Sequence, residues 1–512
     1  MTHPVRCRIA GGLLGLIGTC MVLFCIGHHG AGISPDSVGY IAAARHMAAG
    51  AGATIWDGTP LVMQPPLYPM LLATVQWSTG ADPLGSAHVV NAVLFGLIVY
   101  LSGELAARHL RASPVLVVLV QALVLFSKPL LSVSVMAWSE PLFIALSVCF
   151  LLAVESYLRE PRVRFLMAAA MAAGFAAATR YAGVTIIATG VAVILFAVGR
   201  EWRTRIAHVC LLLPIAAAPL GAWAIRNYAL TGTLLGPRAS SVYGLHQTCM
   251  LVAAVIVSWY VPIVEFCRLV HLSPQLALCC IAVPTLVAEH VGTGQGGSGA
   301  SMSPLLVFIG VYVLFLAVTS ATTAYDPPNS RLVSPVYVPL TVLLLRAAGE
   351  FERHIRNLRP ARPMRTRLLA VGAAIWLLYP VVASGSRLLA LWREGPEGYT
   401  SKPWTQSRTI QWLRSHPLEP ECRVYSNAPY ALYIQTKMPA SESPAKGMYN
   451  SREAMGESHA FSGPWPEEEK AYLVWFRRGR ARHLFTVEQL RQRVRLHEVA
   501  ELDDGTVYAV SR

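Results

Sequence analysis

Long apolar runs at short intervals constrain this chain more than any other feature. A stretch of about 20 apolar residues crosses a bilayer as a helix. Candidate spans lie at 9–27, 86–107, 112–131, 139–157, 165–179, 183–199, 206–225, 268–289, 304–321, 333–348 and 368–390. In hydrocarbon each such segment must satisfy its own backbone, and only a helix does so within one segment. Composition agrees: 54% of the 512 residues are hydrophobic and 14% are charged, against about 25% charged in soluble domains. The charges are too few to cover a soluble protein of this length. The pattern predicts an α-helical polytopic membrane protein with about eleven spans.

The net charge of +14 would fit a nucleic-acid partner, but its distribution does not. Before residue 391 the cation is almost all Arg, with Lys128 the single Lys, and the acids number 13 of the chain's 28. Arg6/Arg8, Arg108/Arg111, Arg159/Arg162/Arg164, Arg200/Arg203/Arg205 and the six Arg from Arg353 to Arg367 follow every second span. Short loops rich in Arg and Lys face the cytoplasm. This places the N-terminus inside and the opposite loops outside: 28–85, 132–138, the turn at Arg180, 226–267, 322–332 and the tail. The first run is read as an anchor, since no small-x-small cleavage site follows it. Segment 249–265 is apolar enough to span, but a span there would move the Arg-rich stretch 353–367 outside. It is therefore expected to be interfacial or re-entrant, with Trp259 and Tyr260 at the headgroups. Nine of the ten Cys lie in apolar or membrane-flanking stretches, and no Cys/His metal spacing occurs. Two domains follow, a membrane domain 1–390 and an external α/β domain 391–512. In the tail, Ser407–Ser415 and Thr486–Val494 read as helices. Arg423–Tyr425 and Ala471–Phe476 read as strands. Arg495–Leu502 and Thr506–Val510 read as a hairpin around Asp503-Asp504-Gly505.

Residues 28–85 are too long for a simple connector. Ser34-Pro35-Asp36-Ser37 has the composition of a helix start, and a surface helix is expected from Val38 to about Ala49, with Tyr40, Ala44 and Met47 on one face. Trp56-Asp57-Gly58 reads as a turn, and Pro65-Pro66-Leu67-Tyr68-Pro69 restarts an apolar helix.

An Asp just outside the first span, Tyr-x3-Ala, Gly-x-Gly and Pro-Pro-Leu-Tyr-Pro form an ordered set. Ser139-Glu140-Pro141, Thr179-Arg180-Tyr181, Trp223-x2-Arg226-Asn227, Arg331-Leu332-x2-Pro335 and Ser426-Asn427-x-Pro429 continue it. In order and spacing this resembles the GT-C fold glycosyltransferases. The nearest style is the bacterial branch related to protein O-mannosyltransferases and lipid A aminoarabinose transferases. The resemblance covers nearly the whole chain. It implies a polyprenyl-phosphate-linked sugar donor, an active site under the first external loop, inversion at the sugar carbon, and Asp36 in the place of the catalytic Asp. The chain also departs from the pattern: where the aminoarabinose transferases carry Glu-Lys before Pro-Pro-Leu, it has Met63-Gln64. A phosphate-binding cation, or a metal held by that Glu, is not carried over, and a divalent metal is left open.

Chemistry on such a donor needs a carboxylate to take the acceptor's proton and fixed cations for the leaving phosphate. Guanidinium groups suit phosphate oxygens. Asp36 is the base candidate. Substrate-binding candidates are Asp57, Tyr68, Lys128, Glu140, Arg180, Arg226, Arg238 and Arg331. Each has a plainer role: Asp36 as a helix cap, Asp57 as a turn residue, Glu140 on a helix dipole, Arg226 as a span anchor, Arg331 paired with Asp326, Lys128 snorkelling. The expected activity is transfer of a sugar to a cell-envelope glycolipid, polysaccharide or protein at the outer face of the plasma (inner) membrane. Membrane lipid is the surrounding partner, and no nucleic acid is involved. A lipid or sugar transporter or flippase is the alternative. Such proteins pair broken spans between halves, and only 249–265 is a candidate here. A polysaccharide polymerase shares the many spans but not the long first loop.

Overall fold

The computed structural model describes residues 3–110, 113–197, 201–260, 303–358, 363–419, 421–446, 465–478 and 483–511. The membrane part contains α1 (His3–Ile26), α2 (Pro35–Ala48), α3 (Leu67–Thr79), α4 (Pro83–His109), α5 (Pro114–Leu125), α6 (Lys128–Ser134), α7 (Glu140–Arg159), α8 (Val163–Thr179), α9 (Val184–Leu195), α10 (Trp202–Thr231) and α11 (Leu245–Ser258). It continues with α12 (Pro304–Thr322), α13 (Tyr337–Leu358) and α14 (Pro363–Glu394). Ten of the expected spans coincide with these helices; 268–289 lies outside the described residues. Among the described residues six helices are long and apolar enough to cross a membrane, or seven if the bent pair α5–α6 is one span. Helices α8, α9 and α11 are apolar but shorter.

Start signals recur along the chain. The side chains of Asp82, Ser113 and Ser127 each accept a backbone N–H of the helix they open, and Pro follows in the first turn of all three. Such residues satisfy orphan donors at a helix start, where Pro costs no hydrogen bond. The Ser127 cap and Pro129 also explain why the expected span 112–131 is not straight. It breaks at Phe126–Ser127 and turns by 50° into α6. Ala and Gly make up nine of the 17 residues of helix α8, so it packs closely between α7 and α10, as small residues permit.

One expectation about the first long loop is corrected. Helix α2 does not lie open on a surface: every residue from Ser37 to Ala44 is buried. Gly39 and Ala42–Ala44 let neighbours approach from all sides, and α3, α4 and the tail do so. Trp259 and Tyr260, expected at headgroup level, are buried against Tyr337, at ring distances of 5.3 and 5.7 Å. The Tyr260 hydroxyl pairs with Thr341 Oγ1 at 2.9 Å.

The tail forms a five-stranded sheet with β1 (Arg423–Ser426), β2 (Ser441–Glu442), β3 (Lys470–Phe476), β4 (Arg495–Leu502) and β5 (Gly505–Ser511) in the order β2-β1-β3-β5-β4. The pairs β1–β2 and β1–β3 are parallel, and β3–β5 and β4–β5 antiparallel. Helices α15 (Arg408–Ser415), α16 (Pro429–Thr436) and α17 (Val487–Arg491) accompany it. Helix α16 seats Tyr433 and Ile434 in the cluster that surrounds α2.

Candidate active site at one end of the helix bundle

Side chains from four separate elements reach one end of the bundle. The stretch after α1, the start of α7, the end of α8 and the turn before α13 meet there. Gly32 pairs with both Val135 and Ala137 through backbone hydrogen bonds of 2.9 Å, which lays the start of α2 beside the start of α7. Ser34 caps α2 in a reciprocal capping box with Ser37, and Trp138 Nε1 donates to Ser34 Oγ at 2.7 Å. The cap is thus Ser34, and Asp36, in the first turn, is free for other contacts. At the fourth corner Asn329 Oδ1 accepts the backbone N–H groups of Arg331 and Leu332. Tyr312 donates to Leu332 O at 2.8 Å, fixing the turn that carries Arg331.

Four charged side chains converge here. Arg331 Nη2 donates to Asp36 Oδ2 at 2.6 Å, and Arg331 Nε to Glu140 Oε1 at 2.5 Å. Arg180 Nη1 reaches the same Glu140 oxygen at 2.6 Å and Ser139 Oγ at 3.2 Å. The Arg331 guanidinium lies 4.0 Å over the Trp138 ring, a cation–π contact that orients its plane. The quartet has two carboxylates and two guanidiniums and is neutral. Its members differ in access: side-chain exposure is 38% for Asp36, 14% for Arg331, 16% for Arg180 and 1% for Glu140. Asp36 is the carboxylate an entering molecule can reach. Burial pushes the Asp36 carboxyl up, but Arg331, helped by Arg180 and Gln64, brings it below its ordinary value. Glu140 Oε2 and Arg180 Nε are buried with no hydrogen-bond partner among the described residues.

Of the sequence candidates, Asp36, Glu140, Arg180 and Arg331 stand together. Arg331 pairs with Asp36 and Glu140 rather than with Asp326. Tyr68 is fully buried behind them, donating to Asn91 at 3.2 Å and packing edge-on against Tyr40 at 5.2 Å. Arg226 is engaged elsewhere: it donates to Leu61 O and Ala53 O at 2.7 and 2.9 Å and stacks on Trp223 at 4.3 Å. It thereby clamps the first loop onto α10. Arg238 lies over Tyr181 and Tyr325 at 5.9 and 5.2 Å. Asp57 accepts Thr59 N and Oγ1 within its own exposed turn. Lys128 lines a separate cavity of about 400 Å³ with Ser132, Ser386, Arg387 and Glu397.

Sequence reasoning missed Gln64, whose Nε2 donates to Asp36 Oδ1 at 3.2 Å. Its signal was the departure Met63-Gln64 itself, since that position points at Asp36. Tyr430 was missed as well. Trp56 meets it edge-on at 4.7 Å. Burial raises its hydroxyl pKa far above the ordinary value, with the charges of Glu442, Asp36 and Asp57 adding to the effect. Tyr430 therefore brings the tail within electrostatic range of Asp36. Among the described residues no three His, Cys, Asp or Glu side chains group as metal ligands. The two site carboxylates already face guanidinium groups, a donor set that does not fit a resident cation.

No protein-family model matches the chain, and no curated protein matches its sequence. Solved structures do match. ArnT from Cupriavidus metallidurans superposes with TM-score 0.58 in the apo state and 0.60 bound to undecaprenyl phosphate, at 15% identity over 97% of both chains. The archaeal oligosaccharyltransferase AglB from Archaeoglobus fulgidus gives 0.54 at 12% identity, over 91% of this chain and 69% of its own. The mycobacterial arabinofuranosyltransferase AftD gives 0.52 at 14% identity, over 99% of this chain and 40% of its own. At these identities the likeness is one of fold, and the chain carries the GT-C glycosyltransferase fold that its motifs resembled.

Proposed function

We propose that the protein is an inverting membrane glycosyltransferase. It moves a sugar from a polyprenyl-phosphate-linked donor to a glycolipid, polysaccharide or protein acceptor at the outer face of the plasma membrane. The observation that carries this reading is the quartet: an accessible carboxylate, Asp36, beside two guanidinium groups, Arg180 and Arg331, held by a buried one, Glu140. In this reading Asp36 takes the proton of the acceptor hydroxyl as its oxygen bonds to the sugar carbon. The bond from that carbon to the phosphate oxygen breaks, and the electron pair leaves with the phosphate. Arg180 and Arg331 stabilise the charge that develops there. The undecaprenyl phosphate bound to ArnT, a protein of the same fold, supports a lipid phosphate as the ligand. The Arg distribution supports a cytoplasmic N-terminus and an external tail, and the 1–390 and 391–512 division follows the change from long helices to sheet.

The test is reconstitution in liposomes with a polyprenyl-phosphate sugar. Asp36→Asn removes the base while keeping its shape, and transfer should fall by roughly 10²–10⁴ in protein that still inserts and folds. Wild-type rates in that variant refute Asp36 as the base. Movement of lipid or sugar across the bilayer without new glycosidic bonds would favour a transporter. Mass spectrometry of envelope glycans and glycolipids after deletion identifies the sugar and acceptor.

A further inference from the structure

Within the reaction proposed above, the quartet has a property that a simple cation site lacks. Its charge is already balanced, and Arg331 bridges both carboxylates through different nitrogens, Nη2 to Asp36 and Nε to Glu140. The two contacts are unequal. Glu140 is 1% exposed and shares its oxygen with Arg180, so it cannot leave; Asp36 is 38% exposed and, among the described residues, is otherwise hydrogen-bonded by Gln64. The reaction also redistributes charge. A sugar phosphodiester enters with one negative charge, and its leaving group departs as a phosphate monoester with a second. Over the same step Asp36 gains a proton and loses its charge. One negative charge therefore passes from Asp36 to the phosphate, and the balance of the site is kept only if a cation follows it.

We propose that Arg331 is that cation and exchanges partners in each turnover. It holds Asp36 while that carboxylate is ionised and turns its Nη2 to the leaving phosphate once Asp36 is protonated. Nε on Glu140 and the face on Trp138 act as the pivot, so the guanidinium keeps its place while one donor changes acceptor. After the phosphate departs and Asp36 loses its proton, the pair re-forms. The Asp36–Arg331 pair is thus the reset arrangement, with the base held ionised and ready.

The inference makes an inactive variant the better binder. Asp36→Asn imitates the protonated base, frees Arg331, and should bind an isoprenyl monophosphate in detergent roughly tenfold tighter than the wild type, the worth of one charge-assisted hydrogen bond. Simple relief of repulsion would also tighten binding, so the measurement is a double-mutant cycle with Arg331→Gln. If the exchange operates, most of the gain disappears in the Arg331→Gln background. An unchanged gain there, or no gain in Asp36→Asn alone, overturns the exchange. Thermal unfolding verifies each protein, and Arg331→Lys replaces Arg331→Gln in the cycle if the latter does not fold. Sugar transfer by the wild type is scored separately. A wild type that binds the phosphate but transfers nothing refutes the enzyme, whereas a failed cycle in an active enzyme refutes the exchange alone.

Discussion

Glu140 is the residue on which the site's architecture rests, and its replacement by Gln has a calculable cost. The substitution keeps volume and one acceptor oxygen but removes the charge that faces two guanidinium groups on one atom, at 2.6 and 2.5 Å. Removing one partner of a buried ion pair costs about 3–5 kcal/mol. The amide oxygen still accepts from one guanidinium, which restores about 1 kcal/mol. The expected loss is therefore about 2–4 kcal/mol. The loss should fall mainly on Arg180. Arg331 retains Asp36 at 2.6 Å, while Arg180 retains only the Ser139 hydroxyl at 3.2 Å and already has an unpartnered Nε. The assay is unfolding in mixed micelles by a graded denaturing detergent, followed by tryptophan fluorescence, for Glu140→Gln, Arg180→Gln and the double variant. Because the double variant leaves no uncompensated charge at that corner, its loss should be smaller than the sum of the singles by at least about 1 kcal/mol. Additive losses, or a Glu140→Gln loss below about 1 kcal/mol, would refute the claim that this carboxylate holds the cations in place.

Two further outcomes follow from the same geometry. Asp36 is held below its ordinary value, so its pair with Arg331 contributes fully above the ordinary carboxylate pKa of about 4 and is lost only as pH falls below that. The groups facing it are Arg331, Arg180, Gln64, Tyr40 and Tyr430. The acid limb of kcat/KM, which reports the free enzyme, should accordingly lie below the usual Asp range and move up in Arg331→Gln; a limb between pH 5 and 7 in the wild type would contradict this. Arg226→Ala should cut kcat/KM about tenfold by releasing two loop carbonyls. Arg226→Lys should not restore it, because one ammonium cannot reproduce the fork on Leu61 and Ala53 or the stack on Trp223; full activity in either variant would free Arg226 of this role.

What was legible in the sequence follows from the physics of each signal. Helix positions came through because a long apolar run needs no tertiary information to be read as a helix. The hairpin β4–β5 came through because Asp503-Asp504-Gly505 specifies a turn locally. The bend at Ser127 was readable from a cap followed by Pro, but hydropathy averaging hides it. The burial of α2 was not readable. Its small residues are equally compatible with an open surface and with an enclosed helix, and only the arrival of α16 from some 390 residues away decides. The roles of the arginines were mixed for a related reason. Arg226 and Arg331 both stand near helix ends, and nothing local separates a guanidinium that meets loop carbonyls from one that meets carboxylates.

The same contrast explains the chain's charge. A net +14 concentrated on an anion site would hold a phosphate but would resist its release. The site instead draws one acid for each base from four separate elements and is neutral in itself. Several of the remaining pairs lie at the other helix ends: Arg8 with Glu104, His109 with Glu155 and Arg346 with Glu350. In the proposed reaction surplus Arg is left to the short loops, while the proposed catalytic end is kept neutral so that one proton transfer is enough to change its affinity for phosphate. A substitution that adds a positive charge there, such as Gln64→Lys, should therefore slow turnover through delayed release of the lipid phosphate rather than through weaker donor binding. Pre-steady-state transfer would show it as a burst equal to the enzyme present followed by a slow steady rate; a slowed burst with no release delay would show that neutrality serves some step before release.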